Sequence, residues 1–170
     1  MNNLRNNIIE WLRKLPPDDP RGYQPKEDFS YEKWFQIGKS FPDITKQLID
    51  LLEEIDINKP TDLTFPIVYA LGWIGDLSAA NLLSKFMQSP SEFIRYESIA
   101  SLGRLKALEY FDSIRKILED RKQTENVRAN ACIALGNMGH PDSKRVLQNF
   151  INDSNPFVAK CADVALGLLK

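Results

Sequence analysis

"VRANACIALGNMGH", residues 127–140, places an apolar residue nine positions before a glycine, with small residues between, and the chain repeats this arrangement. LTFPIVYALGWIGD starts at Leu63, IRYESIASLGRLKA at Ile94 and VAKCADVALGLLK at Val158. Their glycines are Gly72, Gly103, Gly136 and Gly167, at intervals of 31, 33 and 31 residues. A fainter copy, FSYEKWFQIGKSFPD, puts Phe29 nine before Gly38, which precedes Gly72 by 34. Self-similarity at a period of this length marks units that cannot bury an apolar face alone and stack to bury it together.

Within one unit the spacing is helical. Val127, Ala131, Ala134 and Leu135 share one face of a first helix, and the two alanines admit a close neighbour. Gly136 is expected to stop that helix in the left-handed conformation, as are its four equivalents. A second helix is expected to open near Pro141 and Asp142, with Asp142 as its cap or first-turn acid, and to turn Val146, Leu147, Phe150 and Ile151 inward. The other units read alike, pairing 91–102 with about 107–119, about 64–71 with 77–88, and 30–37 with 42–55. Pro66 fits the first turn of its helix if Thr64 caps it.

The sequence thus predicts one all-α domain over residues 1–170, an α-solenoid of four to five helical hairpins. Its units are 29–62, 63–93, 94–126, 127–157 and 158–170, preceded by residues 1–28 as a capping helix and an irregular loop. Leu4, Ile8, Trp11, Leu12 and Leu15 supply the cap's apolar face. The last helix lacks a partner, so it is either a cap or, through Leu166, Leu168 and Leu169, an open face.

The stretch VRANACIALGNMGHPDSKRVLQNFINDSNPFV resembles the HEAT-like repeat of the phycobilin-lyase type, strongly over about residues 63–170 and weakly over 29–62. The resemblance implies that Arg128 with Asp153, and Arg95 with Asp120, brace the stack through hydrogen bonds. Lys160 and Thr64 depart from the arginine position. It also implies that the second helices line the array's inner face. Exposed Lys85, Gln88, Arg115, Lys116, Lys144, Arg145, Gln148 and Asn149 are then the candidate partner contacts. Residues 16–29, PPDDPRGYQPKEDF, add Arg21 and Tyr23 on a proline-stiffened backbone.

Composition narrows the chemistry. Twenty-two Lys plus Arg against 23 Asp plus Glu leave a net charge of −1, which is no polyanion-binding profile. Cys132 and Cys161 lack any zinc-site spacing and sit in apolar helical stretches, as core thiols of a reducing compartment do. No apolar run approaches ~18 residues, and the N-terminus does not read as a signal peptide, so a cytoplasmic setting without membrane contact is expected. The single histidine, His140, occupies a turn filled by Asp76 and Ala107 in other units, the mark of a solvated position and not of a catalytic one.

These observations lead to an expectation of no catalytic residue, no metal and no cofactor. The function expected is that of a non-enzymatic protein-binding module, a scaffold or inhibitor, acting as a monomer or as a weak dimer through the C-terminal helix. An immunity protein that neutralises a bacterial toxin by direct binding is an alternative resting on fold-level likeness. A bilin-lyase-like subunit and a DNA-binding HEAT-like protein, the latter looking to Trp73 and Arg104, are further ones.

Overall fold

A computed structural model describes residues 6, 8–10, 12, 36, 41 and 43–169. Arg21, Tyr23, Gly38 and the loop at 16–29 lie outside these residues. Every regular element among the described residues is helical. In chain order they are α1 (Ile44–Glu53), α2 (Thr64–Ile74), α3 (Ala80–Phe86), α4 (Glu92–Arg104), α5 (Phe111–Glu119), α6 (Glu125–Met138), α7 (Ser143–Gln148) and α8 (Pro156–Gly167). Short 3-10 turns, Leu77–Ala79 and Leu108–Tyr110, lead into α3 and α5. Ile8 and Leu12, four apart and both helical, are buried in the same continuous core as the repeats.

The first helices, α2, α4, α6 and α8, form a continuous row in which each packs on the next. Each second helix packs on the first helix that follows it: α1 on α2, α3 on α4, α5 on α6, α7 on α8. By contrast α3 and α5, and α5 and α7, barely meet. A stack held close along one row and open along the other bends toward the close row, so the first helices line the inner side. That reverses the side expected for the inner face.

The repeated glycines have a different cause from the one expected. Gly72, Gly103 and Gly136 are helical residues in the last turns of α2, α4 and α6, one or two before the final one, and none takes the left-handed conformation. A Cβ built on Gly103 would stand 2.6 Å from the Cα of Ala134, and one on Gly136 would stand 2.8 Å from the carbonyl oxygen of Ala165. On Gly72 it would overlap Ser101, whose hydroxyl donates to the Val68 carbonyl at 3.1 Å. Gly103 and Gly136 let successive first helices touch backbone to backbone, and Gly72 makes room for the Ser101 and Arg104 side chains. The helix stops are three residues later: Gly75 at φ +84° and Gly139 at φ +64° take the left-handed conformation, and Lys106 at φ +53° does so in unit three. Gly167 ends α8, and a Cβ built on it would meet nothing within 4 Å.

Helix starts follow ordinary capping chemistry, with two departures. The Thr124 hydroxyl accepts from the Val127 amide, and the Asn155 side chain accepts from the amides of Phe157 and Val158 ahead of Pro156 at the first position. Asp142 makes no capping bond and pairs instead with Arg145 at 3.1 Å. Thr64 does not cap α2 either; its hydroxyl accepts from the Thr61 amide at 2.9 Å, while Pro66 does occupy the first turn.

Candidate functional site: the inner face of the first helices

A first helix uses three of its sides for structure. In α6, Gly136 and Cys132 face α8, Ala134 faces α4, and Arg128 and Leu135 bond toward the second helices. The side left over, by helical spacing, carries residues 126, 130, 133 and 137. Counting back and forward from the glycines gives the equivalent sets. They are Asp62, Pro66, Tyr69 and Trp73 on α2 and the turn before it; Phe93, Glu97, Ala100 and Arg104 on α4; Asn126, Asn130, Ile133 and Asn137 on α6; and Phe157, Cys161, Val164 and Leu168 on α8 and just past it. Stacking positions repeat, and this side does not. Its changing chemistry, from aromatic and charged through amide to apolar, is the part of the array free to carry function.

Its most elaborate point lies where α4 meets α2. Arg104 reaches back so that its guanidinium carbon sits 4.5 Å from the Trp73 ring centre and 5.8 Å from that of Tyr69. Its Nη2 donates to Glu97 Oε1 and, at 2.8 Å, to the Ser101 hydroxyl. Phe65, Tyr69 and Trp73 follow one another along α2 with ring centres 6.3 and 6.0 Å apart. Glu97 is buried, and in the units of α2, α6 and α8 neither it nor Arg104 has a like-charged equivalent, whereas the first unit carries Glu32 and Lys39 at the same positions about Gly38. A desolvated ion pair that the units of α2, α6 and α8 do without is weak as a stabiliser, which points to a role other than stacking. Of this group the sequence marks Trp73 and Arg104; Glu97 goes unmarked, because it pairs with Arg104 two turns along the same helix, beyond the usual three- and four-residue spacing.

The second-helix residues fall on the opposite, outer side. Lys85, Gln88, Lys116, Lys144, Arg145, Gln148 and Asn149 are exposed. Arg115 is tied to Asp112 at 3.1 Å and Glu119 at 3.0 Å on its own helix, as Arg145 is to Asp142, which leaves both as ordinary surface pairs. Gln88 and Lys116 border an open groove of about 450 Å³ between α3 and α5 that also holds Tyr110 and Asp120.

The implied bracing pairs divide. Arg128 is bidentate to Asp153, at 3.2 and 2.6 Å, and its Nε donates to the Leu118 carbonyl at 2.9 Å. Hydrogen bonds from Arg128, and then from the Asn155 amide, hold the Asp153 carboxyl below the usual carboxylate range against the opposing effect of burial. In unit three the pair is not made. Arg95 donates to the Ser89 and Pro90 carbonyls at 2.9 and 3.0 Å, because the turn before it places two free carbonyls under the guanidinium. Asp120 instead accepts from the Lys122 amide and the Gln123 side chain.

His140 is settled in its turn, stacked on Phe111 with ring centres 3.9 Å apart and accepting through Nδ1 from the Asp142 amide at 3.1 Å. Both cysteines are free thiols, Cys132 buried and Cys161 half-buried. Burial pushes the Cys132 thiol up to about 12 and raises that of Cys161 as well. A thiol reagent at pH 8 is therefore expected to modify Cys161 first and to leave Cys132 unmodified until the protein unfolds. Equal labelling of both in the native protein, read by peptide mass mapping, is the contrary result. Among the described residues no group of three or more His, Cys, Asp or Glu could hold a metal ion, and no helix is long and apolar enough to cross a membrane.

Comparison with known proteins places this geometry among its relatives. The HEAT repeats family matches residues 111–170. Deoxyhypusine hydroxylase of Drosophila melanogaster is 29% identical over 125 residues, covering 72% of this chain and 41% of that protein. The Candida albicans protein of the same name is 31% identical over 122 residues, covering 71% and 38%. The chain spans about two-fifths of the length of these relatives. The structure of human deoxyhypusine hydroxylase in complex with glycerol superposes with a TM-score of 0.63 at 24% identity, covering 79% of this chain and 46% of that one. The CpcE and CpcF complex of phycocyanin lyase from Nostoc sp. PCC7120 gives 0.64 at 21% identity, covering 92% and 69%. Both structural likenesses establish the fold, an α-solenoid of HEAT-like repeats. The sequence relatives correct the functional expectation: a non-enzymatic scaffold, inhibitor or immunity protein is overturned, because the proteins this chain matches are enzymes by name. The repeat residues report stacking and carry no catalytic motif, so nothing in their pattern could have signalled it.

Proposed function

We propose, from the premise that this chain is a HEAT-like repeat protein, that it works in an enzyme of the deoxyhypusine hydroxylase kind and contributes its inner face to substrate binding. The observation that carries the reading is the sequence match at 29% and 31% identity over some seven-tenths of the chain. The inner face supports it, because a guanidinium, a carboxylate and an indole converge there at Arg104, Glu97 and Trp73. Such groups position a polar substrate beside an apolar wall. The cytoplasm, a reducing compartment, is its proposed setting, in keeping with two free thiols.

Hydroxylation of a carbon–hydrogen bond needs an oxygen-activating centre, of which iron held by two histidines and a carboxylate is one form. The described residues do not fit such a centre, since the chain's only histidine is engaged in its turn and no ligand cluster is present among them. In this reading the centre is supplied from outside the described residues, and Arg104, Glu97 and Trp73 bind and orient.

Protein isolated natively together with the chains that co-purify with it and supply that centre, incubated with a deoxyhypusine-bearing substrate, oxygen, iron(II) and a reductant, is expected to yield substrate heavier by one oxygen atom in mass spectrometry. Arg104→Met is expected to slow this about tenfold, the effect of one lost charge-assisted contact. No oxygen gain, with the Drosophila hydroxylase active in the same buffer, overturns the reading.

A further inference from the structure

One position of the stacking seam differs in chemistry from its equivalents. Two residues before the repeated glycine, α2, α6 and α8 carry Ala70, Ala134 and Ala165, and α4 carries Ser101. Gly103 and Gly136 lie against the backbone of Ala134 and Ala165, whereas Gly72 lies against side chains. A Cβ built on Gly72 would overlap the Ser101 hydroxyl and stand 2.9 Å from Arg104 Nη2. The missing side chain that elsewhere seats a helix backbone here makes room for a hydroxyl and a guanidinium.

Ser101 is fully buried, and its hydroxyl has one hydrogen to give. That hydrogen goes to the Val68 carbonyl of α2 at 3.1 Å, so the oxygen meets Arg104 Nη2, at 2.8 Å, as an acceptor. Nη2 carries two hydrogens, and the other goes to Glu97. The nitrogen is thus fixed from both sides, by a carboxylate of its own helix and by an oxygen anchored on the neighbouring one. A long arginine side chain otherwise has many rotamers open to it. With Nη2 held, the guanidinium carbon stays 4.5 Å from the Trp73 ring centre, and Nη1, which hydrogen-bonds to no described residue, is the nitrogen left for an acceptor on a ligand.

We infer that Ser101 is a positioning residue of the inner-face site: it holds the Arg104 guanidinium between Glu97 and Trp73 so that Nη1 meets a carbonyl or carboxylate oxygen of the substrate. The inference rests on the reading that this face binds substrate. Stacking alone does not account for the hydroxyl, since alanine fills the position in α2, α6 and α8. Gly72 belongs to the same device, because a side chain there displaces both the hydroxyl and the guanidinium.

Ser101→Ala tests it, because alanine is the residue the seam carries elsewhere; the variant is expected to melt within about 5 °C of wild type. Nitrogen-15 NMR of the arginine side chains is the direct readout, with the Arg104 signals identified by their loss in Arg104→Met. In wild type the Nη1 and Nη2 protons of Arg104 should give separate signals, as a guanidinium held against rotation does. In S101A they should collapse to one average. With the deoxyhypusine-bearing substrate, S101A should raise KM about fivefold and leave kcat unchanged, the signature of weakened binding and intact chemistry. An averaged Arg104 signal in wild type overturns the inference, as do S101A signals as separate as those of wild type. An unchanged KM in S101A overturns it too. No turnover by wild type sinks the substrate reading alone, and the Arg104 signals then decide whether Ser101 holds the guanidinium.

Discussion

Arg128→Met is expected to destabilise the protein by about 3–5 kcal/mol, the cost of leaving one member of a buried ion pair without its partner. The Asp153 side chain is 1% exposed and that of Arg128 is 6% exposed, so neither recovers hydration when the other is removed. The variant also frees the Leu118 carbonyl, which Arg128 Nε satisfies. For a chain of this length the midpoint of thermal unfolding should fall on the order of 10 °C. The double variant with Asp153→Asn should lose less than the single one, because no unpaired charge remains. Equal melting of wild type and R128M would remove the pair from the list of stabilising contacts. The pH dependence has a definite sign. Asp153 has a folded pKa below the unfolded value of about 3.9, so its contribution is complete above that value and fades as the pH falls through the depressed one. Urea titrations of wild type and D153N should therefore converge in acid and separate toward neutrality.

Gly103→Ala should cost about 2–3 kcal/mol although it adds a single methyl group to a helix interior, where alanine is ordinarily preferred to glycine by up to ~1 kcal/mol. The added carbon would stand 2.6 Å from the Cα of Ala134 and 3.0 Å from its carbonyl oxygen. Backbone cannot step aside as a flexible side chain can, so α4 and α6 must separate along their whole contact. Gly167→Ala is the internal control. A Cβ on that glycine would meet nothing within 4 Å, so the intrinsic preference for alanine acts unopposed and the variant should be neutral or gain up to ~1 kcal/mol. Denaturant unfolding of the two variants should move in opposite directions. If G103A is as stable as wild type, close backbone contact is not what the repeated glycines provide.

These substitutions also show where sequence reading reaches its limit. Val127, Ala131, Ala134 and Leu135 announce a buried helical face, and all four are buried. The glycine period marks the repeat correctly, yet its cause is invisible in one dimension. A glycine after an apolar helix suits a left-handed stop, and only the presence of Ala134 or Ala165 beside the Cα shows that its lack of a side chain is used for contact. Lys106 makes the same point in reverse, since a lysine with positive φ carries no signal in composition. Arg95 matches the bracing pattern as well as Arg128 does. Two free carbonyls beneath its guanidinium redirect it, and their position depends on how the turn at Ser89 and Pro90 closes.

The candidate site divides the same way. Trp73 and Arg104 stand out in the sequence, but Glu97, two turns back on α4, joins them only through Arg104, whose guanidinium also reaches the rings of α2. The outer residues Lys85 through Asn149 were selected on the premise that second helices line the inner side. The close Gly–Ala contacts draw the first helices together and place that side on the other row.

By itself, then, the chain of residues determined that the protein is a helical stack, how many residues make one unit, and the buried face of α6, because periodicity is a local property of a helix, while Ile151, expected inward, is 42% exposed. Only the tertiary structure decided why each glycine is there, which arginine finds its aspartate, and which side of the row is left to carry chemistry. Each of those depends on what occupies the space beside a residue, which for the glycines is a helix some thirty residues away and for Arg95 is the turn just before it.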